Sequence, residues 1–298
     1  VTDLRFVSYE VKEGKYALEG LPAMYQGEEK AETLEITLRD EYKNLEVVLY
    51  YGVFEDLDVI TRACKIINQS EEQVRLLRAY SMGLDFDNKD MDMLHFYGRH
   101  AMERKMERSP LQHGFQGVES RRGYSSHQQN PFVILCKQDA NEEYGWCYGA
   151  SFVYSGNFSI QAEVSQTDLT RLTVGIQDTQ FEFHLDSGES FTAPEVILSF
   201  SENGLGQLSR NYHKAIRHNL CRGKYKTERR PVLINNWEAT YFDFTPEKLV
   251  AIAKDAKELG IEMLVMDDGW FGKRDSDYSG LGDWFVNEKK LKGGLKNL

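Results

Sequence analysis

Short stretches in which apolar and polar residues alternate fill the first two thirds of the chain. The alternation is clear at residues 34–38 (LEITL) and 45–49 (LEVVL), where it predicts strands with one buried and one exposed face. Similar stretches, separated by polar turns, lie at 59–67, 73–80, 131–136, 148–154, 158–164 and 180–185. Many strands without intervening helices predict an antiparallel β-sandwich, which we place at residues 1–204.

The pattern changes to a helical one near residue 204. Leu205, Leu208, Tyr212 and Ile216 recur at helical spacing and predict one amphipathic helix, and a highly charged stretch follows it. We assign residues 205–228 to this linker helix and its connection to a second domain.

From residue 229 onwards the pattern predicts a β-α-β unit. The apolar runs 232–234 and 261–266 are typical of parallel strands buried on both faces. Between them, Thr245 suits the N-cap of a helix, Pro246 its first turn and Gly260 its end. Because a (β/α)8 barrel begins with such a unit, we interpret residues 229–298 as its truncated first portion.

The predicted fold class is therefore multi-domain β and α/β, with an N-terminal antiparallel β-sandwich (supersandwich) followed by a partial (β/α)8 TIM barrel. A complete barrel takes about 250 residues. We accordingly expect most of the barrel to follow Leu298, and the first strands of the sandwich to precede Val1.

Composition and charge indicate which classes of binding partner are not expected. The net charge is −11, from 36 basic and 47 acidic residues that are interspersed, so we expect no nucleic-acid partner. No apolar run is long enough to span a bilayer and residues 1–15 do not read as a secretory signal, which favours a cytoplasmic protein without a membrane partner, unless an export signal precedes Val1. The cysteines lack the spacing of a metal or redox site, and we expect four buried free thiols: Cys64, Cys136, Cys147 and Cys221.

Two adjacent carboxylates, Asp267 and Asp268, follow the second predicted barrel strand, at the end where parallel-strand folds bind ligands. Such a pair needs donors because the two charges repel each other, and sugar hydroxyls would supply them. A turn or N-cap role and a divalent metal site are the alternatives. Trp237 follows the first strand at the same rim, where it is either a core residue or a wall on which a sugar ring stacks.

Several motifs resemble a known family. Residues 235–242 (NNWEATYF), 266–272 (MDDGWFG) and 282–284 (GDW) closely resemble the microbial α-galactosidases of glycoside hydrolase family 36. Residues 53–62, 125–132 and 154–158 are similar to the N-terminal domain of that family. The resemblance therefore covers nearly the whole chain.

The resemblance implies retaining hydrolysis of terminal α-linked galactose from oligosaccharides such as melibiose and raffinose, without a metal or other cofactor. It implies that Asp267 and Asp268 hold galactose hydroxyls distal to the scissile bond, and that Trp237 lines the same subsite. It also implies a homo-oligomer, since members of the family often assemble as tetramers.

The family's aspartate nucleophile and aspartate acid/base belong to motifs that do not occur before Leu298. We therefore predict no catalytic carboxylate in this chain and no activity of the chain alone. The acids Glu238, Asp243, Asp275 and Asp283 are interpreted as surface or supporting groups.

Two alternatives to an α-galactosidase are kept. One is an α-N-acetylgalactosaminidase of the same family, because the residues that face the sugar C2 would come largely from later strands. The other is a non-catalytic sugar-binding module built from the sandwich.

His127 lies in a polar loop without a neighbouring nucleophile, and we interpret it as structural.

Overall fold

The computed structural model describes residues 2–298, which form two compact units that divide after Cys221. The strands of the first unit are β1 (Arg5–Glu13), β2 (Glu32–Asp40), β3 (Leu45–Phe54), β4 (Val59–Asn68), β5 (Val74–Leu76), β6 (Tyr80–Phe86), β7 (Met91–Arg99), β8 (Met102–Pro110), β9 (Gly114–Glu119), β10 (Gln129–Lys137), β11 (Cys147–Val153), β12 (Phe158–Val164), β13 (Thr170–Ile176), β14 (Phe183–Leu185), β15 (Ser190–Thr192) and β16 (Glu195–Ser201). Its helices are a 3-10 turn (Glu55–Leu57) and α1 (Gly204–Asn219).

The second unit is short and mixed. It contains β17 (Leu233–Asn235), α2 (Trp237–Thr240), α3 (Pro246–Glu258), β18 (Met263–Val265) and two 3-10 turns (Lys224–Lys226 and Leu295–Asn297). Across residues 2–298, no helix combines the length and the apolar character needed to cross a bilayer.

Two main antiparallel sheets form the first unit, beside a separate two-stranded pairing of β5 with β14. The larger has the strand order β1-β2-β3-β4-β16-β11-β10-β7-β8, with β15 also pairing with β4, and the smaller has the order β6-β13-β12-β9. Val133 and Phe152 of the larger sheet share a buried apolar cluster with Phe158, Ile160 and Leu172 of the smaller. The predicted antiparallel β architecture is thus confirmed, because strands of both sheets contribute apolar side chains to a core between them.

Helix α1 packs on the larger sheet through a second apolar cluster, which includes Leu208 and Tyr212 of the helix together with Ile134 and Ile197 of the strands. The Tyr212 hydroxyl donates to the carbonyl of Ile197 at 2.9 Å. Gly149 of β11 makes room for this ring, since a Cβ there would lie 2.6 Å from it. The helix predicted to link the domains therefore packs as part of the sheet unit, which a periodic pattern alone does not reveal.

The second unit is built on a parallel strand pair. β17 and β18 pair in register with Leu233 opposite Met263, and α3 connects them. The predicted N-cap is present, because the Thr245 hydroxyl accepts from the amide of Lys248 at 3.3 Å. The cluster beneath the pair consists of Phe244, Leu249 and Leu291, with Leu264, Met266, Trp270 and Val286 packed against it.

The strands are less buried than the sequence predicts. Leu233 is 54% exposed and Met263 39%, so the expectation of burial on both faces is wrong for this unit. Leu259 is 81% exposed because it follows the last helical residue of α3. The single helix α3 can cover only one face of this two-stranded sheet. The strands therefore carry more apolar side chains than this unit can bury.

A buried ion pair anchors the segment between β1 and β2 to the larger sheet. Lys15 Nζ lies 2.6 Å from Glu195 Oε2, and the two side chains are 1% and 0% exposed. The other carboxylate oxygen of Glu195 accepts from the amide of Met24 at 2.7 Å, and the ammonium of Lys15 also donates to the carbonyl of Tyr16. Burial lowers the pKa of Lys15, whereas the carboxylate of Glu195 raises it. The pairing with Glu195 therefore stabilises the charged form of Lys15.

We predict that Glu195→Ala lowers the free energy of unfolding by about 3–5 kcal/mol, because it leaves the Lys15 ammonium buried without an anionic partner. Denaturant unfolding of the chain measures the loss. The double variant Lys15→Met with Glu195→Leu should recover most of it, since it buries neither charge. An equal loss in the single and double variants would show that the charges do not control this site.

Candidate functional site

The carboxyl ends of β17 and β18 lie side by side and bring the predicted site residues together. Asn235 is opposite Val265 in the parallel register, so the chain leaves both strands at one edge. The side-chain amide of Asn235 donates to Asp267 Oδ2 at 2.5 Å, and its oxygen accepts from the amide of Trp237 at 2.8 Å. Asn235 therefore connects the segment that carries Trp237 to the carboxylate of Asp267.

Asn236 fixes the same two loops from below. Its side chain is fully buried, and its oxygen accepts from the amide of Asp267 at 2.8 Å. Its nitrogen donates to the hydroxyl of Thr240 at 2.8 Å, and its backbone amide donates to the carbonyl of Val265. Because both ends of the carboxamide are used, the backbone at the start of the acid pair has one fixed position.

Trp237 begins the short helix α2 and is half-buried in a small aromatic group. Its ring meets Phe242 edge to face, with the ring centroids 4.8 Å apart, and Tyr241 in the same manner at 5.3 Å. Edge-to-face packing holds the indole in one orientation. The rest of the ring can serve as a wall beside the carboxylates.

Asp268 is paired with Arg274, a residue that the sequence analysis did not select. Arg274 Nε lies 2.6 and 2.8 Å from the two carboxylate oxygens of Asp268, and Arg274 is 4% exposed. Its Nη1 donates to the carbonyls of Ser276 and Ser279 at 3.1 and 2.6 Å. The guanidinium thus holds the loop that follows the acid pair as well as the acid itself.

This pairing sets the charge of Asp268. The hydrogen bonds from Arg274 lower the pKa of Asp268, with smaller contributions from the amide of Gly269 and the charge of Lys290, against a partial burial that raises it. Asp268 is therefore anionic over the physiological range. Asp267 has the neutral amide of Asn235 as its side-chain partner and also accepts from the amide of Asp268 at 2.8 Å.

Gly269 allows the chain to turn between the acid pair and the arginine. Its φ of 85° lies in the left-handed region, and a Cβ there would stand 2.9 Å from the ring of Phe242. Lys290 closes the other side by donating to the carbonyl of Phe242 at 2.8 Å. The loops around the acid pair are thus tied both to each other and to the aromatic group.

The sequence predicts that the two adjacent carboxylates need hydrogen-bond donors. In the structure, protein groups supply some of these donors. Arg274 could have been suspected as a basic residue six positions after an acid pair, in a loop otherwise rich in acids and small residues. Within residues 2–298, no group of three or more His, Cys, Asp or Glu side chains is arranged to hold a metal ion.

The remaining acids at this edge are surface groups in this structure. Asp243 and Asp275 are exposed and pair with Lys248 and Lys290 at 2.9 and 3.0 Å. Glu238 and Asp283 are also exposed. In the first unit, His127 lies exposed in the turn that connects Ser126 to Gln129.

Comparison with known families gives two matches. Residues 1–186 match the model of the glycosyl hydrolase family 36 N-terminal domain, and residues 190–298 match the model named Melibiase. Together the two models cover nearly the whole chain.

Individual relatives agree with these matches. The chain is 55% identical over 99% of its length to the bifunctional α-galactosidase/sucrose kinase AgaSK of Mediterraneibacter gnavus, and 51% identical over its whole length to the α-galactosidase AgaA of Geobacillus stearothermophilus. Solved structures of the galactosidase domain of AgaSK and of AgaA superpose on 99% of this chain with a TM-score of 0.94. Variants of AgaA have been solved in complex with raffinose and with stachyose.

The chain spans only part of these relatives. It covers 32% of the length of AgaSK and 41% of the length of AgaA. In the two solved structures it covers 41% of each chain. The comparisons therefore establish a family for this chain, and the activity of the whole enzymes is not carried over with it.

We predict that Arg274→Met raises the pKa of Asp268 towards its ordinary value of about 3.9, because the variant removes the main hydrogen-bond donor to this carboxylate. An NMR pH titration of the Asp268 carboxyl group measures the change. The stability that a lowered carboxyl pKa provides is present above the ordinary pKa and lost as the pH falls through the lowered one. The variant should therefore lose stability at neutral pH and approach the parent in acid.

Lys273→Met provides the control, because Lys273 is the adjacent exposed cation. It should leave the pKa of Asp268 close to that of the parent. A pKa of Asp268 that does not change in Arg274→Met would contradict the assigned pairing.

Proposed function

Because the chain belongs to glycosyl hydrolase family 36, we propose that it is part of a retaining α-galactosidase, which removes terminal α-linked galactose from oligosaccharides such as melibiose and raffinose. The observation that carries the proposal is the cluster of Asp267, Asp268 and Trp237 at the carboxyl ends of two parallel strands. That is where enzymes built on parallel strands bind their substrates. The family match supplies the chemical class of the ligand.

In this proposal the acid pair holds galactose hydroxyls distal to the scissile bond. Asp268 is an anion fixed by Arg274, and Asp267 is fixed by Asn235, so both carboxylates are oriented before a ligand arrives. A carboxylate oxygen accepts more than one hydrogen bond, and the protein donors leave acceptor capacity for hydroxyl groups. Trp237 then offers its apolar face to the C–H groups of the ring. Such contacts accelerate hydrolysis if they tighten as the ring flattens towards the transition state.

We propose that neither Asp267 nor Asp268 is a catalytic carboxylate. A glycosidase acid/base needs a raised pKa, whereas the pKa of Asp268 is lowered. A retaining mechanism also needs its two carboxyl groups on opposite sides of the glycosidic bond, about 5–5.5 Å apart. Asp267 and Asp268 are neighbours on one strand end, and the nearby Asp243 and Asp275 pair with lysines at the surface. The nucleophile and the acid/base would then come from outside this chain.

We further propose that β17, α3 and β18 are the beginning of a (β/α)8 barrel. The strands are parallel, they are joined by a helix, and they carry more apolar surface than the unit buries. Additional parallel strands and helices would cover Leu233 and Met263. Assembly as a homo-tetramer and a cytoplasmic location stay predictions.

The proposed substrates are α-galactosides because AgaA, which is 51% identical to this chain, binds raffinose and stachyose in crystals. An α-N-acetylgalactosaminide is the alternative. The similar proteins of M. gnavus and G. stearothermophilus are both named α-galactosidases, which favours galactose.

We predict that this chain alone does not hydrolyse an aryl α-galactoside, and that a protein extended to the full length of the relatives does, because the chain lacks a suitable pair of catalytic carboxyl groups. A colorimetric assay of the two proteins at equal concentration measures the difference. The aryl α-N-acetylgalactosaminide serves as the second substrate, and faster cleavage of it would favour the alternative. Activity of the short chain would contradict the placement of the catalytic groups.

We predict that Asp267→Asn in the extended protein lowers kcat/KM roughly 10- to 100-fold, because it weakens charge-assisted hydrogen bonds to a galactose hydroxyl. Trp237→Ala should also lower kcat/KM, whereas Asp243→Asn, a matched change of an exposed acid, should leave it within about twofold. Equal effects of Asp267→Asn and Asp243→Asn would remove Asp267 from the proposed site.

A further inference from the structure

Two of the cysteines face each other across a strand pair. β10 and β11 run antiparallel, and Cys136 is directly opposite Cys147 in their register. Both side chains are fully buried and belong to the apolar cluster under α1. Their spacing in the sequence, which matches no metal or redox site, predicts only buried free thiols.

The hydrogen-bond pattern tells which kind of pair they form. The amide of Lys137 donates to the carbonyl of Trp146 at 3.1 Å, which makes the adjacent pair a hydrogen-bonded one. Hydrogen-bonded and non-hydrogen-bonded pairs alternate along an antiparallel ladder, so Cys136 and Cys147 form a non-hydrogen-bonded pair. The Cα atoms of such pairs are about 4.5 Å apart, which falls within the range of about 4.4–6.8 Å found for disulfides.

The surroundings make the two thiols chemically unequal. A hydrogen bond from Cys147 lowers the pKa of Cys136, and the charge of Arg108 acts in the same direction. The pKa of Cys147 is raised, first because its thiol is hydrogen-bonded to Cys136, then because it is buried and because its ionisation would place a second anion beside Cys136. The carbonyl of Gly145, 3.6 Å from Cys147 Sγ, is a second acceptor for this proton. Cys136 is therefore the thiol that ionises first.

Arg108 is built into this position. Its Nε lies 2.6 Å from a carboxylate oxygen of Asp92, and its Nη atoms donate to three backbone carbonyls of residues 137–140 at 2.7 to 3.0 Å. Asp92 is opposite Cys136 on the neighbouring strand β7. The guanidinium thus closes the base of the turn 137–147, beside the sulfur atoms.

We propose that Cys136 and Cys147 form a dithiol modification site, which a hydroperoxide converts to an intramolecular disulfide. The Cys136 thiolate attacks one peroxide oxygen, the O–O bond breaks, and Cys136 becomes a sulfenic acid while the leaving oxygen takes a proton. The Cys147 sulfur then attacks the sulfur of Cys136, and the displaced hydroxide leaves as water with the proton of Cys147. Two thiols and one hydrogen peroxide give one disulfide and two waters.

The oxidant reaches the buried pair by opening of the turn. Residues 138–144 are exposed except Ala140, and short exposed turns are the segments that open most easily in native proteins. The same turn receives the first amides of α1, since Gly204, Leu205 and Gly206 donate to the carbonyls of Gly145, Asn141 and Glu142. A disulfide at the base of the turn would fix the surface on which this helix begins.

The test uses the chain with Cys221→Ser, which removes the exposed thiol and with it disulfides between chains. The folded protein is treated with hydrogen peroxide, quenched, unfolded and alkylated with iodoacetamide, and its peptides are identified by mass spectrometry. We expect a linked peptide pair that joins Cys136 to Cys147, reversible by dithiothreitol. Cys64 is the internal control, since burial raises the pKa of this single thiol to about 11, and it should remain reduced.

A second measurement separates the roles of the two sulfurs. In Cys147→Ser the sulfenic acid on Cys136 cannot be resolved, so dimedone should label Cys136, and the label on Cys147 in Cys136→Ser should be several-fold lower. Complete alkylation of Cys136 and Cys147 after peroxide treatment of the folded parent would overturn the proposal and leave them as structural thiols. Oxidation of Cys64 to the same extent would also contradict it.

Discussion

The parallel pairing of β17 with β18 is the interaction on which the candidate site depends. It places Asn235 opposite Val265, so the residues that follow both strands emerge at one edge. The buried carboxamide of Asn236 then joins the two emerging segments, through bonds to the amide of Asp267 and the hydroxyl of Thr240. Side chains that are about 30 residues apart in sequence are held together by backbone geometry and by the side-chain amides of Asn235 and Asn236.

Asp267 and Asp268, at the end of this strand pair, differ in their electrostatic surroundings. Two adjacent carboxylates would repel each other, and the structure separates their environments by giving one a guanidinium and the other an amide. Arg274 also donates to the carbonyls of the loop that follows, so the charge partner and the loop are one structural element. In the proposed function, these two oriented carboxylates are the acceptors for the hydroxyl groups of a neutral ligand.

Local sequence patterns predicted much of the fold, because the positions of apolar residues along the chain reflect which side chains are buried. Alternation identified the strands of the sandwich, and Thr245 with Pro246 identified the start of α3. The same patterns could not show which elements share a core, so α1 was assigned to a linker although it packs on the larger sheet. The exposure of Leu233 and Met263 was not predicted, because an apolar residue shows that a position can be buried and does not show which element would cover it.

The sequence did not predict the contacts between residues that are distant along the chain, either in the candidate site or in the cysteine pair. Asp267, Asp268 and Trp237 were selected from motifs and remain predicted site residues, whereas the pairing of Arg274 with Asp268 depends on a loop conformation that no motif specified. Likewise, Cys136 and Cys147 meet only through strand register, and Cys221, expected to be buried, is exposed. Register and loop closure depend on long-range packing, which periodicity does not encode.

The central claim is that the acid pair and Trp237 form a galactose subsite. A crystal structure of the protein, extended to the length of its relatives and soaked with galactose, tests this most directly. The account predicts hydroxyl oxygens within hydrogen-bonding distance of Asp267 and Asp268, with the sugar ring beside Trp237 and Arg274 still paired with Asp268. Galactose bound elsewhere, with both carboxylates facing solvent, would contradict it.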